Sequence, residues 1–133
     1  TRINLMKNKL LIIIANYYKD ISLGLLKSAM KTLPSSYKTK IIKVPGVFEI
    51  PVTISKNLNK YDGFIALGCV IKGETPHFDF ISQASTNAIM KLSIETKKPI
   101  GNGIITCLNM KQAKARKKKG FEAANAVLSV LSQ

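Results

Sequence analysis

The chain holds a single histidine, His77, at the end of Gly73-Glu74-Thr75-Pro76-His77, between the apolar run Gly63 to Ile71 and a segment of helical spacing that starts at Phe78. Imidazole is the side chain best suited to moving protons near neutral pH, so His77 is a candidate general acid or base. If the turn opens a helix, its unpaired N–H groups and the dipole behind them make an anion site in which Thr75 could donate its hydroxyl to a phosphate. The Glu74 carboxylate must then point away. A structural reading fits the same residues: Thr75 caps the helix and Asp79 complements its dipole.

A second turn of the same kind is Val44-Pro45-Gly46-Val47-Phe48-Glu49-Ile50-Pro51, where Gly46 permits close approach of a ligand to the backbone. Glu49 could accept hydrogen bonds from a polyol, or simply complement a helix dipole. Tyr17, after the first apolar run, offers an aromatic face to a planar heterocycle or covers the sheet end; stacking contributes about 0.5–1.5 kcal/mol beyond area burial. Other signals fail. Gly101-Asn102-Gly103 lacks the third glycine of a dinucleotide fingerprint and stands at the entrance of a strand. No acidic cluster follows the first strand, which excludes a phosphoacceptor receiver domain.

These residues need a frame to hold them. Apolar, β-branched runs at Leu10 to Ala15, Thr39 to Val44, Gly63 to Ile71 and Gly103 to Cys107 predict four strands covered on both faces, since the runs do not alternate. Between them lie helical patterns: Ile21, Leu25, Leu26, Ala29, Met30 and Leu33, ended by Pro34; Ile50, Ile54 and Leu58, with Pro51 in the first turn; and Phe78 through Leu92. A last helical region runs from about Met110 to Leu131, broken near Lys117-Lys118-Lys119-Gly120. Strand and helix in alternation imply right-handed crossovers and a doubly wound α/β domain with a parallel sheet. Ligands bind such sheets beyond the carboxyl ends of the strands, where both turns and Tyr17 fall.

At 133 residues the chain is expected to form one domain, 1–133, burying roughly two thirds of its unfolded surface. Cys69 and Cys107 lie inside apolar runs and read as small reduced core residues, which favours a cytoplasmic setting. Arg2, Lys7 and Lys9 precede only six apolar residues, too few for a secretory signal, and no segment is long enough to span a membrane. The formal charge of +14 invites a polyanion partner. Nineteen of the 21 basic residues are lysine, however, and base-edge recognition leans on the guanidinium fork. With no aromatic residues interleaved in the lysine run, nucleic acid is not the expected partner.

Taken as a set, "VPGVFEIP", "ALGCVIKGETPHFDF", Pro99 to Thr106, Gln112-Ala113 with Arg116, and "KGFEAA" resemble the signatures of lumazine synthases in order and spacing, from about Leu10 to Leu131. The resemblance implies a flavodoxin-like three-layer α/β/α sandwich around a central four-stranded parallel sheet. It implies an enzyme of the penultimate step of riboflavin biosynthesis, which condenses 5-amino-6-(D-ribitylamino)uracil with 3,4-dihydroxy-2-butanone 4-phosphate and releases phosphate and water without metal or organic cofactor. By that pattern Tyr17 stacks on the pyrimidine, Val47, Phe48 and Glu49 hold the ribityl chain and ring, and Cys69, Val70 and Ile71 border the heterocycle. Gly73, Glu74, Thr75 and Arg116 surround the phosphate, His77 moves protons and Lys119 stands close by. The family's site lies between subunits of a pentamer, so Asn102, Arg116 and Lys119 would serve the neighbour's pocket. Twelve pentamers can close into an icosahedral shell of sixty subunits, and riboflavin synthase is a further partner to expect. The chain departs from the family pattern with Tyr17 for a common phenylalanine, Lys72 for arginine, Asn102 for an aromatic and Leu108 for an acid. Its Arg116 to Lys119 connection is also shorter by several residues. The competing reading is a basic binding or scaffold protein that kept the fold and lost catalysis.

Overall fold

The computed structural model describes residues 9–133; Arg2 and Lys7, the basic flank of the first apolar run, lie outside them. Among the described residues four strands form, β1 (Lys9–Ala15), β2 (Lys38–Val44), β3 (Gly63–Ile71) and β4 (Ile100–Cys107), pairing in parallel in the order β2-β1-β3-β4. Helices α1 (Lys19–Met30), α2 (Ile50–Lys56), α3 (His77–Thr96), α4 (Met110–Ala115) and α5 (Lys119–Leu131) fill the connections, with a 3-10 turn, Val47–Glu49, ahead of α2. The result is the expected three-layer α/β arrangement.

Strand side chains alternate between two cores. Ile65, Leu67 and Cys69 of β3 pack with Leu25 of α1 and Ala124 and Val127 of α5; Phe64, Ala66 and Val70 pack with Ile54 of α2 and Ile89 of α3. Because β1 beyond Lys9 and nearly all of β3 are buried on both faces, those stretches must be apolar, and each fully buried Leu, Ile or Phe contributes about 1.5–3 kcal/mol.

β2 departs from the expectation of coverage on both faces. Only Val44 of its seven residues is buried, and Ile41 is exposed. β2 is an edge strand, and Lys38, Lys40 and Lys43 suit that position because charged side chains discourage pairing with another chain. β4, the other edge, begins at Ile100 rather than Gly103, because the ladder already starts where the Phe64 N–H donates to the Pro99 carbonyl at 3.0 Å.

Two glycines let α5 lie close against β4. A Cβ on Gly101 would stand 2.2 Å from the Ala123 carbonyl oxygen, and one on Gly103 would stand 3.2 Å from Ala123 Cβ and 2.6 Å from a Leu67 methyl of β3. The break in the last helical region falls at Arg116-Lys117-Lys118, between α4 and α5. α4 starts with a reciprocal cap: the Gln112 N–H donates to Asn109 Oδ1 at 2.9 Å and the Leu108 N–H donates to Gln112 Oε1 at 2.8 Å. This cap turns the chain sharply after β4 and sets where Arg116 emerges.

Candidate active site

The carboxyl ends of β1, β2 and β3 meet where the strand order reverses, the place at which an open α/β sheet leaves a crevice. A cleft of about 560 Å³ opens there. Tyr17 reaches it from the end of β1, Val47, Phe48 and Glu49 from the turn after β2, Cys69, Val70 and Ile71 from β3, and His77 from the first residue of α3.

Each wall has a local cause. The Asn16 N–H donates to the Val44 carbonyl at 2.9 Å, joining the ends of β1 and β2 so that Tyr17 and the Gly46 turn stand together. Gly68 lets that turn settle on the sheet, since a Cβ there would lie 2.8 Å from a Val47 methyl. The Glu49 N–H donates to the Gly46 carbonyl at 3.2 Å, and the Thr53 hydroxyl donates to the Glu49 carbonyl at 2.8 Å. The Glu49 carboxylate folds back over Gly46, where an added Cβ would meet Oε1 at 3.3 Å. Tyr17 and Phe48 are 74% and 66% exposed, so their rings are free to take up a ligand rather than spent on the core.

The Tyr17 ring meets Tyr18 edge to face, with centroids 4.9 Å apart at 82°. Burial pushes the Tyr18 phenol above its ordinary range, with Tyr17 and Cys69 adding to the shift. Burial likewise raises the Cys69 thiol to about 12, helped by the neighbouring Cys107. Both stay protonated at neutral pH, so this wall is uncharged and offers a surface suited to a neutral heterocycle. Among the described residues no three His, Cys, Asp or Glu side chains converge as a metal site would require.

The Gly73-Glu74-Thr75-Pro76 turn lies exposed between Ile71 and His77, both of which wall the cleft. The Lys72 N–H closes the β3–β4 ladder by donating to the Cys107 carbonyl at 2.9 Å. Thr75 Oγ1 accepts from the His77 N–H at 3.4 Å, while Pro76 occupies the cap position itself. Nothing in the chain comes within 4 Å of where a Cβ on Gly73 would stand. No packing constraint therefore demands glycine at this position.

Asn102, Arg116 and Lys119 do not enter this cleft. They line a second one of about 510 Å³ along the β4 edge, together with Thr86, Thr106, Lys118 and Glu122. Arg116 Nη1 donates to the Thr106 carbonyl at 3.2 Å, and Asn102 Oδ1 accepts from the Ile104 N–H at 3.0 Å. Lys119 Nζ lies 3.5 Å from Glu122 Oε1 in an exposed pair. With Arg116, Lys118 and Lys119 against one carboxylate, the second cleft is suited to an anion. Helix α3 stands between the two: His77 and Thr86 are nine residues apart, roughly half a turn out of phase at 3.6 residues per turn.

Sequence reasoning missed Tyr18 and Ile81 in the first cleft and Thr86, Thr106 and Lys118 in the second. The helical phase of α3 could have singled out Ile81 with His77, and the strand alternation of β4 could have placed Thr106 beside Asn102. Tyr18 and Lys118 carried no local signal.

A family model described as 6,7-dimethyl-8-ribityllumazine synthase matches residues 7–133. Among curated relatives, the 6,7-dimethyl-8-ribityllumazine synthase of Agrobacterium fabrum is 44% identical over 138 residues, covering 94% of this chain and 93% of the relative. That of Bartonella henselae is 45% identical over 136 residues, covering 95% and 88%. That of Cutibacterium acnes is 37% identical over 133 residues, covering 93% and 80%.

Proposed function

The chain belongs to the 6,7-dimethyl-8-ribityllumazine synthase family, and from that premise we propose that its 133 residues form one lumazine synthase domain whose two clefts are the two halves of an active site shared between subunits. It condenses 5-amino-6-(D-ribitylamino)uracil with 3,4-dihydroxy-2-butanone 4-phosphate to 6,7-dimethyl-8-ribityllumazine. The observation that carries this reading is the division of labour between the clefts. One gathers exposed aromatic rings, a carboxylate and the lone histidine, and the other gathers the cations.

In the first cleft Tyr17 stacks on the pyrimidine, and Val47, Phe48 and Glu49 hold the ring and the ribityl chain. Cys69, Val70 and Ile71 supply the uncharged border of the heterocycle. Gly73, Glu74 and Thr75 bring the open turn to the phosphate, and the free space at Gly73 supports close approach of a ligand to the backbone. Arg116 and Lys119 of a neighbouring copy complete the anion site, and Asn102 of that copy covers the heterocycle. A closed ring supplies every subunit with a neighbour on each side, and a pentamer is the assembly proposed. Further assembly into an icosahedral shell, and handover of the product to riboflavin synthase, extend the same reading. The setting is cytoplasmic.

The chemistry asks mainly for positioning, which can lower the barrier for joining two small molecules by up to ~7–11 kcal/mol. An amine of the uracil attacks the ketone and water leaves to give an imine. Phosphate departs by elimination, and the second amine closes the ring with loss of water. His77 moves the protons these steps require, and the cations stabilise the leaving anion.

The test is to mix purified protein with both substrates and follow lumazine absorbance against an enzyme-free control, because the reaction also proceeds slowly unaided. Acceleration is expected. A folded, oligomeric protein that gave none would overturn the enzyme reading in favour of a binding or scaffold role.

A further inference from the structure

The three lysines 117, 118 and 119 are alike in sequence but not in space. Lys118 and Lys119 line the cationic cleft with Arg116, whereas Lys117 turns the other way and lays its stem across α1. A Cβ on Gly24 would come within 2.4 Å of Lys117 Cδ. Behind this short connection stands Ser28 of α1, which lines neither cleft. Its hydroxyl donates to the Lys117 carbonyl at 2.8 Å and accepts from the Phe121 N–H at 3.1 Å. The Leu25 carbonyl, at 3.1 Å, is a second acceptor within its own helix. A hydroxyl has one proton, and the shorter bond to Lys117 is the better claimant.

One oxygen thus ties both ends of the turn that carries the cations. The turn is otherwise held by the Lys119 N–H on the Arg116 carbonyl at 3.0 Å, the Gly120 N–H on the Lys117 carbonyl at a longer 3.4 Å, and the Phe121 N–H, shared between Ser28 and the Lys118 carbonyl, the latter at 3.0 Å. Gly120 allows the attachment, because a Cβ there would stand 2.1 Å from the Leu25 carbonyl oxygen and 2.5 Å from Ser28 Oγ. α5 therefore begins in backbone contact with α1.

We infer that Ser28 is a positioning residue for the cationic cleft: from the far side of the α4–α5 connection it fixes the backbone from which Arg116 and Lys119 reach the substrate phosphate. This rests on the assignment of those two residues to the phosphate. Fixed charges bind an anion without first paying the entropy of ordering their own backbone.

Steady-state kinetics with each substrate varied in turn tests it. Ser28→Ala is expected to raise the KM for the butanone phosphate about 2- to 10-fold, the effect of a lost hydrogen bond. The KM for the ribitylaminouracil and kcat should stay within about 2-fold of wild type, an asymmetry that general loosening of the fold does not produce. Ser28→Thr keeps the hydroxyl and should restore the KM. Asn57→Ala removes a side-chain bond at the end of α2, to the Thr53 carbonyl at 2.7 Å, and should lower the melting temperature without changing either KM. If Ser28→Ala does not fold, Ser28→Cys weakens the same two bonds at similar volume and is read in its place. Equal changes in both KM values, or none, would overturn the proposal provided Arg116→Ala raises the butanone phosphate KM in the same assay. If Arg116→Ala leaves that KM unchanged, the phosphate assignment fails and this proposal with it.

Discussion

Replacing His77 with alanine tests whether the single histidine moves protons or only fills the start of α3. General acid–base catalysis by a positioned side chain contributes about 10²- to 10⁴-fold. The structure argues for the low end. In the single subunit His77 stands exposed on the first turn of α3, and water that reaches the mouth of the shared cleft can take part of its role. The expected fall in kcat is therefore ~10²-fold, or about 2.7 kcal/mol of transition-state stabilisation. The residual rate comes from positioning, which the substitution leaves intact. The hydrogen bond of residue 77 to Thr75 Oγ1 is made by its backbone N–H, so the turn and both KM values should change by less than about 3-fold. Initial rates of lumazine formation, corrected for the unaided reaction, give both parameters, and added imidazole should recover part of the lost kcat. A kcat within about 3-fold of wild type would refute the proton-transfer role. A loss confined to KM would make His77 a binding residue instead.

Three further substitutions probe the site and its frame. Tyr17→Ala should raise the KM for the ribitylaminouracil by about 2- to 13-fold, the loss of a stacking contact of about 0.5–1.5 kcal/mol, while Tyr17→Phe should leave it near wild type; equal effects of both would exclude stacking. The Cys69 thiol sits at about 12, above its ordinary value, so stability from keeping it protonated is fully present below about pH 9 and lost as pH rises towards 12. Urea midpoints measured between pH 8 and pH 10.5 should therefore fall more steeply for wild type than for Cys69→Ala, and parallel curves would contradict the shift. Gly101→Ala drives a Cβ into the Ala123 carbonyl and should destabilise by about 1–3 kcal/mol, whereas Gly73→Ala meets no atom of the chain and should leave the melting temperature unchanged while weakening the butanone phosphate. Thermal unfolding of the two variants side by side decides the packing role, and the butanone phosphate KM of Gly73→Ala decides the ligand role.

Much of this architecture was legible in the chain itself. β3, and β1 from Leu10 on, are apolar because both their faces are covered, and the helical phases of α1 and α3 mark the residues that cover them. The segments after β1, β2 and β3 stand out as breaks in apolar runs at strand ends, which is how the sequence by itself singles out Tyr17, Glu49 and His77. Local pattern carries this much because burial on one or both faces dictates residue type directly.

Strand order is another matter. Thr39 to Val44 reads as a covered strand, and only its place at the edge leaves it exposed. The glycines of Gly101-Asn102-Gly103 look like a failed phosphate loop until α5 is laid against them. The separation of His77 from Arg116 and Lys119 into two clefts depends on α3 standing between residues that the linear motifs place in one list. Lys117 differs from Lys118 and Lys119 only because Gly24 and Ser28, some ninety residues earlier, receive its stem and its carbonyl. Periodicity records which side of an element is buried, but it holds no information about which distant element does the burying. That choice, made by packing, decides where the charges of this chain point.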